Sequence, residues 1–240
     1  MANSVPKGTH FVGSNAFLQQ VYSATSTDQT RDLYDKWAIQ YDKDLAEEDY
    51  ASPELSVQAV VKHLDRSRLE GELQVLDAGC GTGLVGICLS SAKTDLGNFD
   101  LKIDGLDLSQ GMLDVARKTM LYGELEVADL TKPLSIGEES YDVVTCVGTL
   151  TKAHVGAGVL REFVRIARRG WGLIVATVLD DIWESGGYKA VMEDMEKFGK
   201  IEVIGTEEFG IRKSQTTGGR MIVLRRKYLA QEIAHAGIGA

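Results

Sequence analysis

The sequence predicts an α/β protein with a doubly wound, seven-stranded, mostly parallel sheet, a C-terminal antiparallel strand pair and an N-terminal helical cap. Three observations point there. Short apolar runs alternate with helical stretches from residue 73 onward, several of those runs end in aspartate, and the last two follow one another with no helix between them.

Residues 1–27 are polar and aperiodic and are expected to pack loosely. Residues 28–66 read as a helical cap. Within it, Ser52-Pro53-Glu54 offers a cap, a proline at the first helical position and an acid in the first turn. Val57, Val60, Val61 and Leu64 then form one apolar stripe. The core, 67–240, begins with strands expected at 73–77, 101–107, 125–129, 141–147 and 172–178, each rich in Val, Ile and Leu. Helices are expected near 84–91, 109–121 and 157–168. Strands that are apolar on both faces and separated by helices pair in parallel. Runs 201–207 and 220–225, joined through Gly218-Gly219, read as a hairpin closing the sheet edge. Three prolines and no repeat or low-complexity linker indicate one cooperative domain.

Composition narrows the function. The 240 residues carry 26 basic and 35 acidic side chains, a net charge of −9 that argues against a nucleic-acid backbone as partner. Arg225-Arg226-Lys227 is a local exception that reads as a solvated strand end. Cys80, Cys88 and Cys146 form no CxxC pair, so neither a disulfide framework nor a metal site is expected. No apolar run approaches the roughly 20 residues that cross a bilayer, and the N-terminus lacks a secretory pattern. A cytoplasmic protein without a membrane partner is the expectation; oligomeric state is not legible.

In a doubly wound sheet the ligand lies beyond the carboxyl ends of the strands. There the segment Asp77-Ala78-Gly79-Cys80-Gly81-Thr82-Gly83 runs from a strand into a helix, and its glycines allow a tight turn and close approach to a ligand. Gly81-Thr82-Gly83-Leu84-Val85-Gly86 is also a literal GxGxxG, the dinucleotide pattern. Asp77 at the strand tip would oppose a pyrophosphate but suit the ammonium and sulfonium of S-adenosylmethionine. Asp107, ending the second strand, can accept from both ribose hydroxyls, and Asp129, ending the third, can meet the adenine amino edge. Met112 either lies over the purine or fills the core.

The residues from Asp77 to Gly83 resemble the signature loop of class I methyltransferases. Asp107-Leu108-Ser109-Gln110-Gly111-Met112-Leu113 is similar to their second motif, Val127-Ala128-Asp129-Leu130 to their third, and Tyr141-Asp142-Val143-Val144-Thr145-Cys146 to their fourth-strand motif. The resemblance implies a Rossmann-like core, S-adenosylmethionine as cofactor and S-adenosylhomocysteine as product. It implies a cofactor site including Asp77, Gly79, Cys80, Gly81, Thr82, Gly83, Asp107, Leu108, Met112, Asp129, Leu130 and Cys146. More narrowly, the stretch from Tyr34 to Asp42 and that from Cys146 to Leu150 resemble methyltransferase-like proteins of the Williams–Beuren region and their microbial relatives. In related enzymes such an aromatic segment covers the cofactor, which implies Tyr34, Trp37 and Tyr41 as lid residues unless they only pack helices.

For chemistry, His154 follows the fourth strand, where an imidazole titrating near neutrality could act as general base or merely bond locally. Lys152 could steer an anionic acceptor or be solvated. Trp183 and Tyr188, after the fifth strand, either wall an acceptor pocket or seal the core. No Asn-Pro-Pro-Tyr or Asp-Pro-Pro-Tyr tetrad follows the fourth strand, which favours a small-molecule acceptor. The expectation is methyl transfer, with oxygen ahead of nitrogen or sulfur. The alternatives are a protein of the same fold that binds the cofactor without transfer (a binding module, lyase or cyclase) and an NAD(P)-dependent oxidoreductase.

Overall fold

The computed structural model describes residues 16–97, 99–152 and 155–228. Two helices open the described chain: α1 (Ala16–Ser23) and α2 (Thr27–Glu47), the latter capped by the Ser26 hydroxyl, which accepts from Gln29 N. The expectation of a loose segment through residue 27 does not hold for α1. Its Leu18 and Val21 are buried, because two well-placed apolar side chains suffice to dock a short helix. Helix α3 (Ser52–His63) starts one residue earlier than its proline signal suggests. Its N-cap is Ala51, without a side-chain cap bond, so the Ser52 hydroxyl is left for other use.

The sheet contains β1 (Glu72–Ala78), β2 (Asp100–Asp107), β3 (Tyr122–Val127), β4 (Val143–Leu150), β5 (Leu173–Leu179), β6 (Ile201–Gly205), β7 (Glu208–Gly210) and β8 (Gly218–Arg226). The interleaved helices are α4 (Leu84–Ser91), α5 (Lys93–Leu96), α6 (Gln110–Lys118), α7 (Val159–Ile166) and α8 (Tyr188–Lys197). Strand order is β3-β2-β1-β4-β5-β8-β6, with the three-residue β7 pairing β8 off this path as an eighth strand. The first five strands pair in parallel, whereas β8 runs antiparallel to β5 (Val175 opposite Val223) and to β6. The last pair therefore does more than close an edge. β8 inserts between β5 and β6, leaving β6 outermost.

Central strands bury both faces. Leu73 and Val75 of β1 join Val57, Val60 and Leu89 on one side, while Leu76 and Ala78 join Leu160, Phe163 and Met192 on the other. Edge strand β3 starts three residues before its expected position, since Tyr122 already pairs with Ile103 before a register shift. Asp129 consequently lies in the loop beyond the strand, not at its tip. Helix α8 gave no clear sequence signal, being polar on average, yet it buries Tyr188, Met192 and Met195.

Candidate active site

Strand order reverses between β1 and β4, and a cleft of about 760 Å³, counted to its open mouth, lies beyond their carboxyl ends. Loops after four strands build it: Gly79 and Gly81 after β1, Asp107 and Leu108 at β2, residues 128–131 after β3, and residues 147–149 at β4. Gly79 and Gly81 have φ of 76° and 55°. A Cβ on Gly79 would strike the Thr149 side chain, while one on Gly81 would enter open space. The turn thus needs both glycines, and at Gly81 it presents bare backbone to the cleft.

Asp107 is the hub. One carboxylate oxygen accepts from Gly81 N and the other from Ser109 N, both at 2.9 Å. Burial pushes its carboxyl above the usual range, and these backbone amides pull against that shift. Asp129 accepts from the Thr131 amide (3.0 Å) and hydroxyl (2.6 Å) and meets Lys132 at 3.2 Å. Burial raises its carboxyl, but the Thr131 and Lys132 contacts outweigh burial and leave it below the usual range. Met112 and Leu130 complete this wall.

Several motif residues sit elsewhere. Asp77 is fully buried and does not face the cleft; it accepts from the hydroxyls of Tyr122 (2.8 Å) and Thr145 (2.9 Å). Burial is the main reason its carboxyl rises to about 6. The expected contact of this carboxylate with a cationic ligand is therefore corrected: Asp77 instead links β1 to Tyr122 of β3 and Thr145 of β4. Cys80 and Cys146 are buried outside the cleft, with thiols pushed up by desolvation. Where Cys146 was expected, Val147, Gly148 and Thr149 line the space instead. Thr82 is buried and donates to Asp42, and Gly83 caps α4.

Helix α2 roofs the cleft. Thr27, Thr30, Tyr34 and Tyr41 reach it, whereas Trp37 is buried in the cap, stacked on Phe17 (5.6 Å) and Tyr34 (6.2 Å) and edge-on to Tyr41 (4.6 Å). Its indole N–H donates to Asp44 at 2.7 Å. Two aspartates that the sequence reading passed over fasten this helix. Asp35 accepts from the Ser109 hydroxyl and from Gly111 N (2.9 Å), and Asp42 accepts from Thr82. Asp35 and Asp42 are seven residues apart, as are Tyr34 and Tyr41, so two helical turns put each pair on one face. That spacing was the available signal.

The expected acceptor residues do not converge on the cleft. Trp183 and Tyr188 belong to the core cluster; the Tyr188 hydroxyl donates to Val155 O at 2.5 Å, and Arg220 stacks 5.3 Å from the Trp183 ring. They seal the core, with Tyr188 tethering a cleft-lining residue. Lys152 pairs with Asp181 at 3.0 Å on the surface. His154 lies outside the described residues. No cluster of metal-ligating side chains occurs among the described residues, and none of the described helices is long and apolar enough to cross a membrane.

Residues 75–170 match the family model for a methyltransferase domain. Methyltransferase-like protein 27 of Homo sapiens is 34% identical over 146 residues, covering 60% of this chain and 56% of that protein. The ubiquinone biosynthesis O-methyltransferase of Stutzerimonas stutzeri (strain A1501) is 30% identical over 109 residues, 44% of each chain. The family match places a methyltransferase-like segment at residues 75–170, from within β1 to just before β5. The human relative also answers to the Williams–Beuren resemblance. The chain spans about half the length of these curated relatives (56% and 44%). In fold, the chain is similar to a TehB-like S-adenosylmethionine-dependent methyltransferase from Corynebacterium glutamicum, with a TM-score of 0.55 and 18% identity over 81% of this chain and 98% of that one.

S-Adenosylmethionine is the cofactor of this class, and the residues present fit it. Among the described residues the cleft of the methyltransferase domain is lined by two carboxylates, Asp107 and Asp129, and by no lysine or arginine. A pyrophosphate would face these carboxylates, while a ligand with ammonium and sulfonium groups is met by acids, of which Asp129 is already paired with Lys132. The charge argument against a dinucleotide thus survives, carried by the cleft's own lining and not by Asp77.

Proposed function

We propose that the protein is an S-adenosylmethionine-dependent methyltransferase acting on a small molecule, with oxygen favoured as the acceptor atom. The observation that carries this reading is the cleft at the switch point of the sheet, within the segment that matches a methyltransferase domain, lined among the described residues by two carboxylates and by no lysine or arginine. In it Asp107 holds the ribose hydroxyls, Asp129 or the neighbouring amides meet the adenine edge, and Leu108, Met112 and Leu130 flank the purine. The bare backbone at Gly79 and Gly81 receives the amino-acid end. Bound S-adenosylmethionine supplies a methyl group activated on sulfur. The chain's task is to align the acceptor with that methyl and exclude water, and α2, with Tyr34 and Tyr41 turned into the cleft, provides the roof. Oxygen is favoured because a similar protein is named a ubiquinone biosynthesis O-methyltransferase. His154 remains the side chain proposed as base, on sequence position alone.

Titration calorimetry with S-adenosylmethionine, S-adenosylhomocysteine and NAD(P) tests the cofactor. Affinity for NAD(P) alone would overturn the reading. An acceptor screen with a labelled methyl group tests transfer, and cofactor binding without any labelled product would leave the non-transferring alternative.

A further inference from the structure

The amino-acid end of S-adenosylmethionine carries an ammonium and a carboxylate on the same carbon. The glycine loop gives that end room but few donors. Gly79 N and Cys80 N both donate to Leu106 O (2.7 and 2.9 Å), Gly81 N to Asp107 (2.9 Å) and Gly83 N to Cys80 O (2.9 Å). The remaining residue of the turn, Thr82, is only 1% exposed. Among the described residues no lysine or arginine lines the cleft. A carboxylate taken from water without a donor is costly. Its own ammonium supplies the opposing charge, so hydroxyl donors on the cleft wall suffice to hold it.

Three of the hydroxyls lining the cleft are already donating: Thr30 to Ser26 O at 3.1 Å, Thr131 to Asp129 at 2.6 Å and Thr149 to Gly79 O at 3.4 Å. Helix α2 sets the others in order. Asp35 fixes it to the start of α6, after β2, and Asp42 fixes it to Thr82, after β1. Seven residues are about two turns, roughly 10 Å of helix. Tyr34, next to Asp35, therefore falls near Asp107, and Tyr41, next to Asp42, falls at the glycine loop. Thr27 lies about four turns, roughly 20 Å, from Tyr41. The Tyr41 ring is held edge-on to Trp37 at 4.6 Å, and its hydroxyl makes no hydrogen bond among the described residues. Burial first, then the neighbouring tyrosines and Asp107, push its phenol well above the usual range, so it keeps its proton and remains a donor.

Resting on the cofactor reading of this cleft, we propose that the Tyr41 hydroxyl donates to the carboxylate of the cofactor's amino-acid end. Tyr41 thereby fixes the chain that carries the sulfur at the glycine loop, while Asp107 fixes the ribose. The helix that roofs the cleft then also supplies a polar contact to the ligand, at the point where the loop's own amides are spent.

Titration calorimetry of the full chain with S-adenosylhomocysteine and with its decarboxylated analogue, which keeps the nucleoside and the amine, tests this. The wild type is expected to bind both, and S-adenosylhomocysteine more tightly. Tyr41→Phe keeps the ring packed on Trp37 and removes the donor. It should weaken S-adenosylhomocysteine about 10–100-fold, one hydrogen bond to a charged group, and leave the analogue's affinity unchanged. Retained binding of the analogue also reports that the variant is folded. Tyr34→Phe should change the two affinities by the same factor. Unchanged S-adenosylhomocysteine affinity in Tyr41→Phe, an equal loss for both ligands, or a loss confined to S-adenosylhomocysteine in Tyr34→Phe would each overturn the assignment. Failure of S-adenosylhomocysteine to bind the wild type sinks the cofactor reading itself, whereas binding indifferent to Tyr41→Phe sinks the Tyr41 contact alone.

Discussion

Asp107 accepts two backbone amides, Gly81 of the loop after β1 and Ser109 before α6, while still lining the space itself. Its carboxylate shapes the glycine loop and faces the ligand at once. Asp107→Ala should weaken S-adenosylmethionine binding by about 1.5–3 kcal/mol, the scale of hydrogen bonds to a charged group. Titration calorimetry with circular dichroism as a fold check reads this directly, and unchanged affinity in a folded variant would remove the ribose assignment. Asp77 behaves differently, because it is fully buried against Tyr122 and Thr145. Its folded carboxyl sits near 6 against an ordinary 3.8, so the folded state holds the proton more tightly than the unfolded chain. This group therefore lowers stability as pH rises from about 4 to about 6, by ~3 kcal/mol in all, and has no further effect above that. Asp77→Asn removes the ionisation and keeps one acceptor oxygen. Urea melts at pH 4, 5, 6 and 7 should show the variant gaining on the wild type across that window and then levelling. A gap independent of pH would mean that Asp77 is not the titrating group.

Helix α2 is attached to the core by a few polar contacts at one face and by its aromatic packing. Asp35 ties it to the start of α6 through Ser109 and Gly111, and Asp42 ties it to the glycine loop through Thr82. Both anchors are on segments that the cofactor would also touch, so roof and ligand should stabilise one another. The double substitution Asp35→Ala and Asp42→Ala should raise hydrogen exchange of α2 amides at least about tenfold, from the loss of hydrogen bonds to charged groups. Amides of β1, β4 and β5 should be unaffected, and S-adenosylmethionine should bind more weakly. Unchanged α2 exchange would show that the aromatic stack around Trp37 alone holds the roof. The element's sequence displayed its aromatics openly. Its aspartates were legible only as a seven-residue spacing whose partners lie 40 and 74 or more residues away.

Across the whole molecule, the N-terminal helices are bound to the C-terminal strand region as well as to the sheet. Ala51 N donates to Ile211 O and Lys213 N to Asp49 O, Tyr50 bridges Arg212, and Glu48 and Glu54 pair with Arg212 and Lys213. Helix α3 packs on β4 and β5. Cap and core should consequently unfold together. Single-tryptophan variants retaining Trp37 in the cap or Trp183 in the core should give the same thermal midpoint; two separated midpoints would divide the chain into independent units. S-Adenosylhomocysteine at a hundred times its Kd should raise the shared midpoint by about 5–10 °C. NAD should leave it unchanged.

What the sequence by itself determined was the part written in local pattern. Alternating apolar runs and helices specified a doubly wound sheet, since a strand apolar on both faces needs helices over both. Glycine spacing after β1 marked the turn, because positive φ is a local property. The end of β2 marked Asp107 for the same reason. What the tertiary structure decided was direction and partnership. Asp77 and Asp107 both follow apolar strands, yet the sheet turns one toward Tyr122 and Thr145 and the other toward the cleft. Trp183 and Tyr188 could wall a pocket or seal a core, and only the packing of α8 against β6 and α7 closed that choice. The insertion of β8 between β5 and β6 depends on segments far apart in sequence. No local pattern encodes such meetings, because they are set by which surfaces remain to be covered once the local elements have formed.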